Sequence, residues 1–265
     1  MISSEVREAV VGRKLLLGFC AALSFGVAEA ATVLVTGTNR GIGLEFVRQY
    51  AAQGWTVIAT VRNPAAATEL AALAAGKPNI RIEKLDVTDV AAIEALAAKY
   101  RGQPIDVIIN NAGTLGDVPK QKIGGLDQTE FLAVINANTF GALKVSEAFK
   151  SNLLVGQTRK VFAMSSGLGS SAQTARRGDF YGYRASKAAL NVSFRALAAD
   201  WRGEGIMVGI IAPGMVETDL LRASGFPGRG ITAEQSVRGM MQVIERMTLD
   251  SNDKVVNYDG SVIPY

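Results

Sequence analysis

Short apolar runs rich in Val and Ile recur along the chain, and stretches with apolar residues at helical spacing lie between them. The first run is Thr32-Val33-Leu34-Val35. Leu44 to Ala51 then places Leu44, Val47 and Ala51 on one helix face. Trp55 to Val61 predicts a second strand, and an Ala-rich helix follows from Pro64 to about Ala75. Ile80 to Leu85 is the third run, with Thr88-Asp89 placed to cap a helix ending at Lys99. Ile105 to Ile109 is the fourth, and one long helical stretch runs from about Thr129 to Lys150. Lys160 to Met164 predicts a fifth strand, Tyr183 to Trp201 a helix, and Ile206 to Ile211 a sixth strand. Thr232-Ala233-Glu234 opens another helix, and Lys254 to Tyr258 reads as a short last strand before Asp259-Gly260. Strands that alternate with helices predict a parallel sheet covered on both faces. No repeat, low-complexity tract or linker interrupts 31–265, so this span reads as one domain. Its loosest stretches are 114–126 and 213–231, both rich in Gly.

Composition narrows the chemistry. The chain has 265 residues, 48% hydrophobic and 20% charged, which is globular and not disordered. The net charge is +4, but the basic residues are dispersed among acidic ones, so no nucleic-acid footprint stands out. There is no His, which excludes Ser-His-Asp triads, Cys-His pairs and His-based metal sites. Cys20 is the single Cys, so neither an intrachain disulfide nor a thiolate metal cluster can form.

Residues 1–30 differ from the rest. Arg13-Lys14 precedes thirteen uncharged residues, Leu15 to Val27, and then Ala28-Glu29-Ala30. A basic start, an apolar core and A-x-A describe a secretory signal peptide. The apolar run is short for a bilayer span, which needs about 20 residues. An N-terminal anchor is the other reading of this segment.

Four candidate site segments stand at the carboxyl ends of predicted strands, where open α/β sheets bind ligands. Thr36-Gly37-Thr38-Asn39-Arg40-Gly41-Ile42-Gly43 joins the first strand to its helix. Gly37 permits a sharp turn. Gly41 and Gly43 remove side chains where a pyrophosphate would approach N–H groups at a helix start. Asn110-Asn111-Ala112-Gly113 closes the fourth strand, Ser165-Ser166-Gly167-Leu168-Gly169 follows the fifth, and Pro213-Gly214-Met215-Val216-Glu217-Thr218 follows the sixth. Tyr183 and Lys187 are four apart on a helix, with Cβ atoms about 6 Å apart. A free phenol titrates near pH 10. A Lys cation beside it is expected to favour the phenolate and lower that pKa, making Tyr183 a usable acid or base.

As a set, in this order and spacing over 31–265, these segments resemble the classical short-chain dehydrogenase/reductase family. Leu44-Glu45-Phe46, Gly178-Asp179-Phe180-Tyr181-Gly182-Tyr183 and Tyr258-Asp259-Gly260 are most similar to its C-factor and sniffer-like carbonyl reductase group. The resemblance implies a single-domain Rossmann fold, a doubly wound α/β sheet of about seven parallel strands. It implies hydride transfer between a nicotinamide cofactor and a small-molecule carbonyl or secondary alcohol, with no metal. Tyr183 would be the general acid/base. Ser166, on a Ser-x-x-Gly turn, would hydrogen-bond the substrate oxygen, with Ser165 a packing residue. Asn138, before Gly141, would hold a water in a proton relay with Lys187. The cofactor would lie along Gly37 to Gly43, Asn111, Ala112, Gly113, Tyr183 and Lys187. Asp86-Val87 would meet the adenine, and Pro213, Gly214, Val216 and Thr218 would position the nicotinamide.

The cofactor choice follows from the end of the second strand. NAD-specific folds place an acid there for the ribose hydroxyls. Val61 and then Arg62 stand here, and Arg40 lies in the Gly-rich turn. Two guanidiniums could bracket a 2′-phosphate, so NADP(H) is expected, with NAD(H) as a weaker second cofactor. The loop 167–182, with Arg176, Arg177 and Asp179, is longer than usual and is expected to shape the substrate mouth. Homo-oligomers form in the family through helices corresponding to 129–150 and 183–202, and monomers also occur. A nucleotide-binding signalling or scaffold protein of the same fold is the alternative function.

The expected location is periplasmic or secreted after removal of residues 1–30, with no membrane span left. A cytoplasmic or membrane-anchored protein is the alternative. N-terminal sequencing of the mature protein is expected to read from Ala31. An intact N-terminus in the cytosolic fraction would contradict export.

Overall fold

The computed structural model describes residues 30–174, 178–251 and 254–265. The expected signal peptide, Ala30 aside, lies outside the described residues, as do Arg176 and Arg177 of the expected substrate mouth. Eight strands form one sheet: β1 (Thr32–Thr36), β2 (Thr56–Val61), β3 (Ile80–Lys84), β4 (Val107–Asn110), β5 (Lys160–Met164), β6 (Met207–Ala212), β7 (Val255–Asn257) and β8 (Val262–Ile263). Their order is β3-β2-β1-β4-β5-β6-β7-β8. The first seven are parallel, and β8 returns antiparallel to β7. The pattern of apolar runs predicted the parallel seven but not β8. Two residues after a tight turn carry no periodicity, and β8 exists only because β7 offers it an open edge.

The helices are α1 (Gly41–Ala52), α2 (Thr68–Ala74), α3 (Val90–Lys99), α4 (Gln128–Ile135), α5 (Gly141–Ala148), α6 (Lys150–Val155), α7 (Ser171–Thr174), α8 (Tyr181–Trp201), α9 (Asp219–Ala223) and α10 (Ala233–Arg246). Successive strand residues point to opposite faces. In β1, Leu34 joins a core with Ile108, Phe149, Phe194 and Trp201, under α3, α5 and α8. Val33 and Val35 join the other core with Phe46, Val47, Leu70, Met240 and Ile244, under α1, α2 and α10. One strand thus feeds both layers, and the sheet is doubly wound. Among the described residues no helix is long and apolar enough to cross a membrane.

Two predicted helices are broken. The stretch expected from Thr129 to Lys150 is α4, a π-helical turn over Asn136–Phe140, and α5, with α6 beginning at Lys150. The wider turn brings the buried Asn138 side chain round to the Thr114 main chain, and such turns cluster at functional sites. The helix expected from Pro64 to Ala75 begins as a separate 3₁₀ turn, Pro64–Ala66. Ala67 then leaves helical geometry and is buried, before α2 starts at Thr68.

Sheet order reverses direction beside β1, which has β2 on one side and β4 on the other. Val35 pairs with Ile109, so the turn after β1 and the residues after β4 emerge side by side. A crevice at such a reversal is where this architecture takes ligands.

Candidate active site

The Gly-rich turn needs its glycines for space. Gly37 stands at φ +71°, and a Cβ there would lie 2.8 Å from Ala112 Cα. A Cβ on Gly43 would collide with the Gly37 carbonyl oxygen. Asn111 holds the turn from β4, its Nδ2 donating to the carbonyls of Thr36 (2.9 Å) and Gly37 (3.0 Å). The Ala112 N–H donates to Thr36 Oγ1 at 2.9 Å. Arg40 stands at the N-cap of α1 in an extended conformation, and its side chain makes no cap hydrogen bond to the first turn. An open, uncapped helix start attracts anions, so this cradle fits a pyrophosphate.

Thr38 lies beneath the turn. It is fully buried, and its N–H and Oγ1 both donate to the Thr60 carbonyl, at 3.0 and 3.1 Å. Its polar groups therefore shape the turn and are not offered to a ligand. Asn39 and Arg40 are exposed, and Ile42 is half-buried. Arg40 is ion-paired with Asp219 at 2.9 Å, at the start of α9. Arg62 is exposed past β2. Burial works against ionisation of Asp86, but the Thr88 N–H and hydroxyl and the Arg62 charge outweigh it and lower its pKa. The two guanidiniums thus each face an acid.

The four residues expected to do chemistry are brought together. Tyr183 and Lys187 share the buried face of α8, at 6% and 5% exposure. Lys187 Nζ lies 5.7 Å from the Tyr183 ring centre and donates to the Met164 carbonyl at 2.7 Å, at the end of β5. The Ser166 hydroxyl, two residues on, acts on the Tyr183 phenol to lower its pKa and accepts the Leu168 N–H at 3.2 Å. Ser165 turns inward and donates to Asn191 Oδ1 at 2.5 Å, a packing contact. A Cβ on Gly113 would lie 2.9 Å from Asn138 Oδ1 and 3.7 Å from Lys187 Nζ. Gly113 therefore links the cofactor turn to the Tyr183–Lys187 pair.

Asn138 Oδ1 accepts the Thr114 N–H at 2.8 Å, and its Nδ2 donates to the Thr114 carbonyl and to Ser186 Oγ, both at 2.9 Å. Its side chain is a clamp between loop and helix. One expectation about these groups changes. Tyr183 does not have a lowered pKa: burial pushes it up to about 12, against a smaller lowering by Ser166. Burial likewise brings Lys187 down to about 8. Taking either charge out of water outweighs their mutual effect.

Residues 31–225 match the short chain dehydrogenase family. The chain belongs to that family. It is 34% identical over 173 residues to C-signal of Myxococcus xanthus, covering 65% of this chain and 100% of that protein. NADPH-bound carbonyl reductase from chicken fatty liver superposes with a TM-score of 0.79 at 32% identity, covering 89% of this chain and 99% of its own. Carbonyl reductase Sniffer of Drosophila melanogaster gives 0.78 at 30%, covering 89% and 100%.

In this short-chain dehydrogenase the remaining site segments close over the cradle. Thr218 caps α9, and its Cγ2 would lie 3.4 Å from a Cβ on Gly41. Val216 is buried and bridges to Ile231. Gly214, at φ +76°, leaves room for the Tyr258 ring, and the Pro213 carbonyl accepts from Ser236 Oγ at 2.7 Å. Val87 packs its carbonyl against Gly141. Asp179 pairs with Arg184 at 3.0 Å, both largely buried. Three supporting contacts carried no signal in the sequence. Gln121 accepts the Tyr183 N–H. Ser170 Oγ donates to the Pro264 carbonyl, and the Ala172 N–H donates to the Tyr265 carbonyl at 3.0 Å. Each joins residues far apart in the chain.

The shifted pKa values make stability depend on pH. Between pH 8 and 10 the unfolded chain keeps a proton on Lys187 that the folded chain has released, so stability rises with pH. From pH 10 to 12 the folded chain keeps the Tyr183 proton that the unfolded chain loses, and stability falls. Urea midpoints of the wild type and Lys187→Met at pH 8 and pH 10 check this. The wild type is expected to gain about 2 kcal/mol relative to the variant over that interval. Parallel pH curves would show that Lys187 is not desolvated.

Proposed function

We propose that the chain is an NADP(H)-dependent carbonyl reductase that interconverts a carbonyl compound and its secondary alcohol. The observation that carries this reading is the buried Tyr183 phenol, with Lys187 one turn further on and the Ser166 hydroxyl lowering its pKa. At neutral pH the phenol holds its proton, as an acid for carbonyl reduction must. NADPH supplies the hydride when bound. Tyr183 gives its proton to the carbonyl oxygen, and the Ser166 hydroxyl steadies the charge developing there. Lys187, held by the Met164 carbonyl, keeps its amine beside the ring. For alcohol oxidation Tyr183 must first lose its proton, and the cation of the oxidised nicotinamide favours that loss.

Gly37, Gly41 and Gly43 would take the pyrophosphate, and the segment Pro213 to Thr218 would cover the nicotinamide. The preference for NADP(H) rests on Val61 standing where an acid would bind ribose hydroxyls, with Arg62 beside it. The chicken enzyme's bound NADPH supports the same choice. Arg40 would exchange its contact with Asp219 for the phosphate. The likeness to C-signal favours a second reading, signalling with little turnover. A panel of carbonyl compounds, followed by NADPH absorbance, separates the two.

Tyr183→Phe is expected to lower turnover by about 10²–10⁴-fold with NADPH binding retained. A variant that keeps most of its activity would remove Tyr183 from the chemistry. For the cofactor, Arg62→Ala is expected to weaken NADPH binding about tenfold or more, since a charge-assisted bond contributes about 1.5–3 kcal/mol. NADH affinity should hardly change. Equal losses for both cofactors, measured by titration, would show that Arg62 does not read the 2′-phosphate.

A further inference from the structure

Gln121 lies in the Gly-rich stretch 114–126, yet it is only 1% exposed. A buried amide needs partners for both its ends. Its Oε1 accepts the Tyr183 N–H at 2.7 Å, and its Nε2 donates to the Leu115 carbonyl. Tyr183 is the third residue of α8, in the turn whose N–H groups have no acceptor within the helix. The residue that would normally satisfy them is Phe180, which has no side-chain acceptor and stands at φ +50°. The cap therefore comes from a distant loop. Room has been left for it: a Cβ on Gly182 would lie 3.1 Å from Gln121 Oε1, and one on Gly116 would lie 3.0 Å from its Nε2.

The other main-chain group of Tyr183 is tied to the same loop. Ser186 Oγ donates to the Tyr183 carbonyl at 2.7 Å and accepts from Asn138 Nδ2. Asn138 in turn holds both main-chain groups of Thr114. Thr114 and Leu115 are thus clasped to the two peptide groups of Tyr183 by separate side chains.

We infer that Gln121 is a positioning residue: by capping the Tyr183 N–H it fixes the phenol's main chain to the loop that leaves β4. This inference rests on the reading of Tyr183 as the acid/base. A first helical turn without a cap frays, and a phenol on a fraying turn spends less time in line with Ser166 and the substrate oxygen. The loss should therefore fall on kcat and not on cofactor binding, which uses the Gly-rich turn.

The test is Gln121→Leu, with kcat, KM for NADPH and hydrogen exchange at the Tyr183 amide. Expected are a fall in kcat of about tenfold or more, an unchanged KM for NADPH, and faster Tyr183 exchange. Gln121→Glu keeps an acceptor for the Tyr183 N–H but loses the donor to the Leu115 carbonyl, so it is expected to recover only part of the rate and the protection. In a Tyr183→Phe background, Gln121→Leu should cause no further loss. Wild-type kcat with undiminished amide protection would overturn the inference, as would a loss that adds fully to that of Tyr183→Phe. Should Gln121→Leu fail to fold, Gly182→Ala carries the test, because its Cβ crowds Oε1. The same fall in kcat and protection is then expected, and unchanged values would overturn the inference. If Tyr183→Phe itself stays active, the acid/base reading fails alone, and the exchange data still report on the cap.

Discussion

The site is built on one close approach of main chains. Gly37 and Ala112 lie so near that no side chain fits between them, and Asn111 bonds the two carbonyls on the far side of the contact. This seam between β1 and β4 sits where the sheet reverses direction. From it the turn Gly37 to Gly43 runs one way, into an uncapped helix start. Asn111 to Gly113 runs the other way, to Asn138 and Lys187. Loosening the seam would move the nucleotide cradle and the chemical groups apart.

Burial is the second constraint, and it sets the electrical character of the site. Tyr183 and Lys187 are held away from water on the inner face of α8. The lysine donates to the Met164 carbonyl, and burial disfavours its charged form. Burial disfavours the phenol's anion as well, against a smaller lowering by the Ser166 hydroxyl. At neutral pH the phenol therefore keeps its proton, and the lysine stays mostly charged but gives up its proton more readily than a free lysine.

Much of this was legible from local pattern. Apolar runs marked the central strands because a strand buried on both faces must be apolar throughout, while the edge strand β3 alternates Ile80 and Ile82 with Arg81 and Glu83. Tyr183 and Lys187 could be paired because helical spacing brings residues four apart onto one face. The family resemblance, through its Ser-x-x-Gly turn, preferred Ser166 to Ser165, and the structure turns Ser165 inward to Asn191. Other features left no local trace. The π turn at Asn138 reads as ordinary helix in sequence, because what bends it is a hydrogen bond to Thr114, in another loop. Arg40 reads as a free cation until the chain folds back and sets Asp219 beside it.

The sequence by itself determined the alternation of strand and helix, the place of the Gly-rich turn and the identity of the Tyr183–Lys187 pair. Each of these depends on residues close together in the chain. Only the tertiary structure decided the direction of the pKa shifts, the closing strand β8, the clamp made by Asn138 and the cap made by Gln121. The physical reason is common to all four. Desolvation is the sum over everything packed around a group, and a hydrogen bond between Gln121 and Tyr183 or between Asn138 and Thr114 exists only once distant segments are brought within reach.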